Sequence, residues 1–96
     1  MMQRMIDFEI MAEKFRIIGH PARVAIINLL CTCGCKRLTV KNIYEELNMN
    51  QPTASHHLGT MRKCGILNRT QEAGKTFYSL CEKDPYMGCI QKCFVP

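Results

Sequence analysis

The stretch from residue 50 to residue 66, NQPTASHHLGTMRKCGI, constrains the fold most, because it marks both ends of a helix. Asn50 can cap the start, since its side-chain oxygen can accept a hydrogen bond from a free backbone N–H of the first turn. Pro52 suits that first turn, where a missing N–H costs little. Gly65 stands just past the end, where a left-handed residue is favoured. The sequence therefore predicts a single helix between Asn50 and Gly65.

The two sides of this predicted helix differ in chemistry. Ala54, Leu58 and Met61 recur at i, i+4 and i+7 and form a narrow apolar stripe. The opposite side is polar, uncharged or cationic, and no carboxylate occurs between Glu46 and Glu72. An ordinary surface helix is the alternative, but such helices usually mix Glu with Lys. The acid-free interval therefore favours a helix that enters the major groove of DNA.

Composition sets limits on the whole chain. Its 96 residues predict one small domain, residues 1–96, and its formal net charge of +5 favours a polyanionic partner. The first fifteen residues carry charges of both signs, so no signal peptide is predicted, and no apolar run reaches the length of a membrane span. We therefore expect a cytoplasmic protein with no membrane partner. In that reducing compartment the seven cysteines do not indicate a disulfide scaffold.

Two helices are predicted before the third and fourth. Residues 2–18 have an apolar stripe wider than one small core can easily cover, so the excess either packs within the chain or forms a dimer seam. Pro21 is predicted to start the second helix, whose residues 24–31 are almost entirely apolar and therefore buried. Thr39 is predicted to cap the third helix.

The remaining pattern predicts a winged helix-turn-helix. A helix, a short turn and the helix from Asn50 give a helix-turn-helix over residues 39–64, with the second helix in the recognition role. Two β-rich runs around a Gly turn predict a hairpin, the wing, over residues 67–81. Residues 83–94 indicate a short final helix. The predicted fold is mainly α with a small β-hairpin (α+β), in the order ααααββα.

Nine side chains of the recognition helix and the hairpin are candidates for DNA contact. Residues near the start of a recognition helix approach base edges, whereas cationic and hydroxyl side chains hold phosphates and set the register. The candidates for base contact are Gln51, Thr53, Ser55 and His56, and those for phosphate contact are Thr60, Arg62, Lys63, Arg69 and Lys75. His57 lies at the edge of the apolar stripe, so we expect it to bond within the fold.

Three segments together resemble the arsenic-repressor-type (ArsR/SmtB) winged helix-turn-helix regulators. They are GHPARVAIINLL, IYEELNMNQPTASHHLGTMRKCGIL and EAGKTFYSL, and they cover about residues 15–82. The resemblance implies a homodimer built from the first and last helices and bound to double-stranded DNA at an inverted-repeat operator. It also implies a repressor that needs no cofactor to bind DNA and leaves its operator when an inducer binds.

The familiar metal sites of that family are missing from this sequence. Many metal-sensing members carry an ELCVCDL-like box, but RLTVKNI stands here, with Thr39 and Lys41 in place of the cysteines. The zinc sensors use Asp, His and Glu on the last helix, which here has Asp84 and no histidine. These differences argue against a copied zinc or cadmium site.

The cysteines are the candidates for metal or redox sensing. The resemblance brings the end of the second helix near the last helix, so thiols of both could respond to one inducer. The leading expectation is that they bind trivalent arsenic or antimony (As(III)/Sb(III)) or another soft metal ion, because three cysteines lie within the CTCGC segment. The alternative is a disulfide or polysulfide bridge in a persulfide or redox sensor. A structural zinc is a further alternative. The candidate thiols are Cys31, Cys33, Cys35, Cys89 and Cys93.

The neighbours of these thiols lead to two more expectations. Lys36 and Arg37 follow the CTCGC segment directly, which predicts lowered pKa values for Cys33 and Cys35. The two cysteines at other element ends, Cys64 and Cys81, are expected to be packing residues.

Two other function classes compete with a DNA-binding regulator. One is a small thiol oxidoreductase using Cys33 or Cys35, and the other is a winged helix that binds a protein. Against the enzyme, no CxxC stands on a βαβ pattern and no cofactor motif is visible. We therefore expect a protein that is not an enzyme.

Overall fold

The computed structural model describes residues 7–84, 86–92 and 94. The elements within these residues are α1 (Phe8–Ile18), α2 (Pro21–Thr32), β1 (Leu38–Thr39), α3 (Val40–Glu46), α4 (Gln51–Lys63), β2 (Leu67–Glu72), β3 (Lys75–Leu80) and α5 (Met87–Lys92). The strands form an antiparallel sheet in the order β1-β3-β2. This architecture confirms the predicted winged helix-turn-helix and adds one strand, β1, to the predicted order.

Strand β1 escapes prediction because it is very short and pairs with a distant segment. Leu38 lies opposite Tyr78, and Thr39 lies opposite Phe77. Two residues carry no detectable period of their own, so their extended conformation depends on a partner strand far along the chain. The pairing brings the loop after α2 beside the end of the hairpin that lies opposite its turn.

Helix α4 begins and ends where the sequence predicts. The N–H of Thr53 donates to Oδ1 of Asn50 at 2.9 Å, which caps the start. Gly65 has φ of 84°, and the N–H of Ile66 donates to the carbonyl of Met61 at 3.0 Å, which closes the other end. Thr39 caps α3 in the same way, through the N–H of Asn42 at 3.1 Å.

Within the described residues, both outer helices begin later than predicted. Asp7 is in an extended conformation and accepts from the N–H groups of Glu9 and Ile10, so α1 begins directly after it, at Phe8. The earlier part of the predicted helix, residues 2–6, lies outside the described residues. Helix α5 does not begin at Lys83, because Asp84 forms a turn by accepting from the N–H of Tyr86 at 2.8 Å.

The core lies between α2, α4 and the sheet. The predicted stripe of α4, Ala54, Leu58 and Met61, has no exposed surface. The largest fully buried side chains are Ile26, Ile27, Ile43, Leu58, Met61, Ile66 and Met87. Each side chain of this size contributes roughly 1.5–3 kcal/mol on burial, so one face of α4 is fixed while the other is left to solvent. Over the residues the structure describes, no helix has both the length and the apolar character to cross a bilayer.

Candidate nucleic-acid interface and thiol-lined cavity

The predicted DNA-contacting residues lie on the outer face of α4 and on the hairpin. Thr60 is half-buried, and the other eight are exposed: Gln51, Thr53, Ser55, His56, Arg62, Lys63, Arg69 and Lys75. The first turn of α4 follows the Asn50 cap, contains Pro52 and has no acidic side chain. That turn therefore presents polar side chains and the positive end of the helix dipole to solvent.

An open groove brings three of these residues together. It has a volume of about 580 Å³ and lies between the starts of α3 and α4 and the turn of the hairpin. Gln51, Ser55 and Lys75 line it, although the sequence placed them in two separate elements. No carboxylate is among the described residues that line it, which are Thr39, Val40, Lys41, Asn42, Tyr44, Gln51, Ser55, Lys75 and Thr76.

Sequence reasoning missed the contribution of α3 to this groove. Lys41 and Asn42 are exposed in the first turn of α3, and Thr76 faces the groove from β3. The signal that could have found Lys41 was the Thr39 cap, because it places Lys41 in the first turn of α3. In the sequence, Lys41 stands out only as the replacement of a cysteine.

His57 is held inside the fold, as expected. It is 6% exposed, and its Nδ1 accepts from Nε of Arg23 at 3.0 Å. Nη1 of the same Arg23 donates to the carbonyl of Ile17 at 3.0 Å. Burial, followed by the charge of Arg23, lowers the pKa of His57. This contact ties α2 to α4 behind the outer face, while the neighbouring His56 remains exposed.

A second, larger cavity collects three of the thiols. It has a volume of about 790 Å³, and it lies between the end of α2, the end of β3 and α5. Cys31 and Cys81 are half-buried and Cys35 is exposed. Helix α5 reaches the cavity through Gln91. The described residues that line it are Leu30, Cys31, Cys35, Lys36, Arg37, Asn68, Ser79, Leu80, Cys81, Glu82, Lys83 and Gln91.

Cys81 is the thiol that sequence reasoning treats as a packing residue. It follows β3, and β3 pairs with β1, which is separated from the CTCGC segment only by Lys36 and Arg37. The unpredicted strand therefore brings Cys81 into the cavity with Cys31 and Cys35. The other predicted thiols differ: Cys33 donates weakly to the carbonyl of Leu30 at 3.7 Å, while the side chain of Cys89 and all of Cys93 lie outside the described residues.

The predicted lowering of the thiol pKa is wrong for Cys35. A hydrogen bond with the Cys33 side chain, followed by burial, raises the pKa of Cys35. Burial raises the pKa of Cys31 as well. Arg37 does not act on these thiols as expected, because its guanidinium pairs with Glu72 at 2.6 Å and lies 4.0 Å from the ring centroid of Phe77.

The described residues do not fit a metal centre. Among them, no three or more His, Cys, Asp or Glu side chains lie close enough to hold one ion. Three thiols within the CTCGC segment therefore do not make the three-thiolate site that a soft trivalent ion prefers. The alternative zinc site also needs Cys89 or Cys93, whose side chains lie outside the described residues.

Comparison with known proteins places this architecture in a family. The sequence model of the bacterial regulatory proteins of the arsR family matches residues 20–69. An uncharacterized HTH-type transcriptional regulator of Methanocaldococcus jannaschii is 37% identical over 78 residues, covering 81% of this chain and 85% of that protein.

Solved structures agree with the sequence match. The transcriptional repressor PagR of Bacillus anthracis superimposes with a TM-score of 0.77 at 32% identity, over 92% of this chain and 95% of PagR. The homodimeric winged helix-turn-helix DNA-binding domain of Mb0332 from Mycobacterium bovis shares the fold, with a TM-score of 0.74 at 20% identity over 97% of this chain and 83% of that one. The chain described here belongs to the arsR family of bacterial regulatory proteins, and it is a transcriptional regulator rather than an enzyme.

Proposed function

We propose that this regulator is a homodimeric repressor that binds double-stranded operator DNA and leaves it when a thiol-directed inducer reacts. The observation that carries DNA binding is the acid-free groove, where Gln51 and Ser55 of α4 meet Lys75 of the hairpin and Lys41 of α3. Two cations flanking polar side chains at a helix start match a phosphate backbone on either side of base edges. A function on operator DNA requires a cytoplasmic location.

Base contacts are assigned to the start of α4, and phosphate contacts to the rest of α4 and the hairpin. The exposed side chains of its first turns would read base edges, namely Gln51, Thr53, Ser55 and His56. The remaining candidates would bind phosphates and fix the register, namely Thr60, Arg62, Lys63, Arg69 and Lys75. The burial of Ala54, Leu58 and Met61 supports a DNA contact on the opposite side of α4, because it keeps that outer face directed to solvent.

The dimer would form on α1. Phe8 is 79% exposed and Phe15 is 46% exposed, and because they lie about two helical turns apart they share one face of α1, which is a large apolar content for a solvent-exposed face. The homodimeric state of the Mycobacterium bovis domain supports a second copy as the cover for this face. A two-fold dimer of recognition helices reads two half-sites about 34 Å apart, so the operator is expected to be an inverted repeat.

The inducer would act at the thiol-lined cavity. Cys31, Cys35 and Cys81 line a space that α5 also borders, so a reaction there can displace a helix whose approach is tied to the start of α1 by the bond between Asp7 and Tyr86. A persulfide donor would transfer its outer sulfur to one cavity thiol and leave as a thiol, and a second cavity thiolate would then displace hydrogen sulfide to form a disulfide, whereas an oxidant would accept the two electrons directly. We favour this bridge over binding of trivalent arsenic or antimony. The described side chains support this preference, because no three His, Cys, Asp or Glu side chains among them lie close enough together to hold one ion.

Selection from a random duplex library tests DNA binding and requires no known operator sequence. Purified reduced protein is expected to enrich an inverted repeat, and its affinity for that duplex should fall linearly on a log–log plot against salt. A matched duplex with one scrambled half-site is the control and should bind more weakly. Enrichment of no sequence, together with affinity that is independent of salt, would disprove the assignment.

A further inference from the structure

One buried ammonium joins three elements of this fold. Nζ of Lys14 on α1 donates to Oδ2 of Asp84 at 2.7 Å and to the carbonyl of Cys64 at 2.6 Å. Both side chains of the ion pair are 9% exposed. Cys64 caps the C-terminal end of α4, and Asp84 lies just before α5. Lys14 therefore connects the end of the recognition helix to the two outer helices.

The surroundings of this contact are close-fitting. A Cβ at Gly65 would lie 3.1 Å from Nζ of Lys14 and 3.3 Å from Oδ2 of Asp84. The other carboxylate oxygen of Asp84 accepts from the N–H of Tyr86, whose hydroxyl accepts from the N–H of Asp7 at 3.1 Å. The approach to α5 is thereby tied to the start of α1, and the position of the ammonium is fixed from several directions.

The energetics of such a contact favour a role in geometry over a role in stability. Removing two charges from water costs about as much as their attraction returns, so a well-packed apolar pair can replace a buried ion pair without loss of stability. An apolar pair cannot bond a carbonyl, however. The bond from Lys14 to Cys64 neutralises the negative end of the α4 dipole and fixes where that end lies.

We infer that Lys14 is a positioning residue for DNA recognition, setting the orientation of α4 relative to α1 and α5. The inference rests on the proposed function, because an operator with two half-sites is read only when both recognition helices have the correct spacing. A small tilt at the C-terminal end of each α4 changes that spacing in the dimer. Binding to phosphates without sequence preference does not depend on the spacing of the two recognition helices.

The decisive variant removes both charges together, Lys14→Met with Asp84→Leu. It leaves no orphan charge in the interior and does not alter the net charge, so phosphate attraction is preserved. We expect a folded dimer whose affinity for the operator is about tenfold weaker, while its affinity for a scrambled duplex is unchanged. The amides of Gly65 and Ile66, which bond the carbonyls of Arg62 and Met61, should exchange hydrogen faster.

A conservative variant provides the matched control. Asp84→Glu keeps a carboxylate for the buried Lys14, leaves the bond to Cys64 in place and does not alter the net charge, so operator affinity should stay near that of the parent protein. An unchanged ratio of operator to scrambled-duplex affinity in the double variant overturns the inference. Loss of folding or of the dimer in that variant overturns it too, because the pair would then be structural only. If the parent protein binds no duplex, the proposed function fails first, a result distinct from equal binding by parent and variant.

Discussion

Nε of Arg23 on α2 donates to Nδ1 of His57 on α4 at 3.0 Å, across the side of the recognition helix that faces the core. The contact requires the neutral imidazole, because a protonated Nδ1 could not accept and would face a guanidinium. The orientation of α4 therefore depends in part on the charge of His57, while the outer face of the helix stays free to bind a ligand.

The first prediction follows from the lowered pKa of His57. The unfolded chain binds the proton more readily than the folded chain, so stability is complete above the ordinary histidine pKa of about 6.5 and is lost as pH falls below it. The free energy of unfolding should therefore fall between pH 7.5 and 5.5, as measured by urea denaturation.

Variants at neighbouring positions separate this effect from other titrations. His57→Gln keeps an acceptor for Arg23 but does not titrate, so the fall on acidification should shrink. His56→Gln and His20→Gln are the comparison variants, and because both keep His57 they should keep a fall in stability on acidification. His56 is the exposed neighbour in sequence, and the ring of His20 lies 4.6 Å from that of His57. A parent-like pH dependence in the His57 variant would mean that this histidine does not govern acid stability.

The second prediction concerns the cations of the groove. Lys75→Ala and Lys41→Ala should each weaken binding to all duplexes and make the salt slope shallower by about one unit, since each removes one phosphate contact. Fluorescence anisotropy at several salt concentrations measures both quantities. Lys83→Ala changes the charge equally but lies in the thiol-lined cavity, so its slope should match that of the parent protein.

The third prediction concerns base readout by the first turns of α4. Thr53→Ala and His56→Ala should relax sequence preference at one operator position, at a cost of about 1–3 kcal/mol for each lost base contact. Affinity for scrambled duplex should not change. Equal losses on operator and scrambled duplex would instead reassign these side chains to the phosphate backbone.

The features that sequence could predict are those set by neighbouring residues. The bounds of α4 depend on Asn50, Gly65 and a stripe within the same helix, and all of these are visible in one short stretch of sequence. The ion pair of Lys14 with Asp84 joins residues 70 positions apart, and β1 exists only through its pairing with β3. Nothing in either local pattern indicates such a partner.

The same distinction explains the errors at the thiols. Charges adjacent in sequence predicted a lowered pKa at Cys35, but the fold directs Arg37 to Glu72 and Phe77 and leaves Cys33 as the strongest influence. Cys81 was expected only to pack, because its approach to the CTCGC segment depends on β1. The site could be predicted as a set of residue types, but not as a set of neighbours.

The fourth prediction tests the dimer face. Phe15→Glu places a charge where a second copy is proposed to pack, and it should give a monomer with weaker operator affinity, because one half-site is lost. Phe15→Leu keeps an apolar surface and should remain dimeric. Analytical ultracentrifugation distinguishes the two. A dimeric Phe15→Glu protein would place the interface elsewhere than on this part of α1.

The last prediction concerns the inducer. If two thiols of the cavity form a bridge, a persulfide donor should release reduced protein from its operator, and Cys35→Ser or Cys81→Ser should retain DNA binding while losing that response. Cys64→Ser is the matched control, because Cys64 does not line the thiol cavity, and it should respond like the parent protein.

The raised pKa values of Cys31 and Cys35 predict how release by the inducer depends on pH. Fewer thiolates exist at neutral pH, so release should quicken as pH rises toward 9. Arsenite run in parallel separates the chemistries. Release by arsenite that survives Cys81→Ser but not Cys33→Ser with Cys35→Ser would favour a metal ion held by the CTCGC segment over a bridge across the cavity.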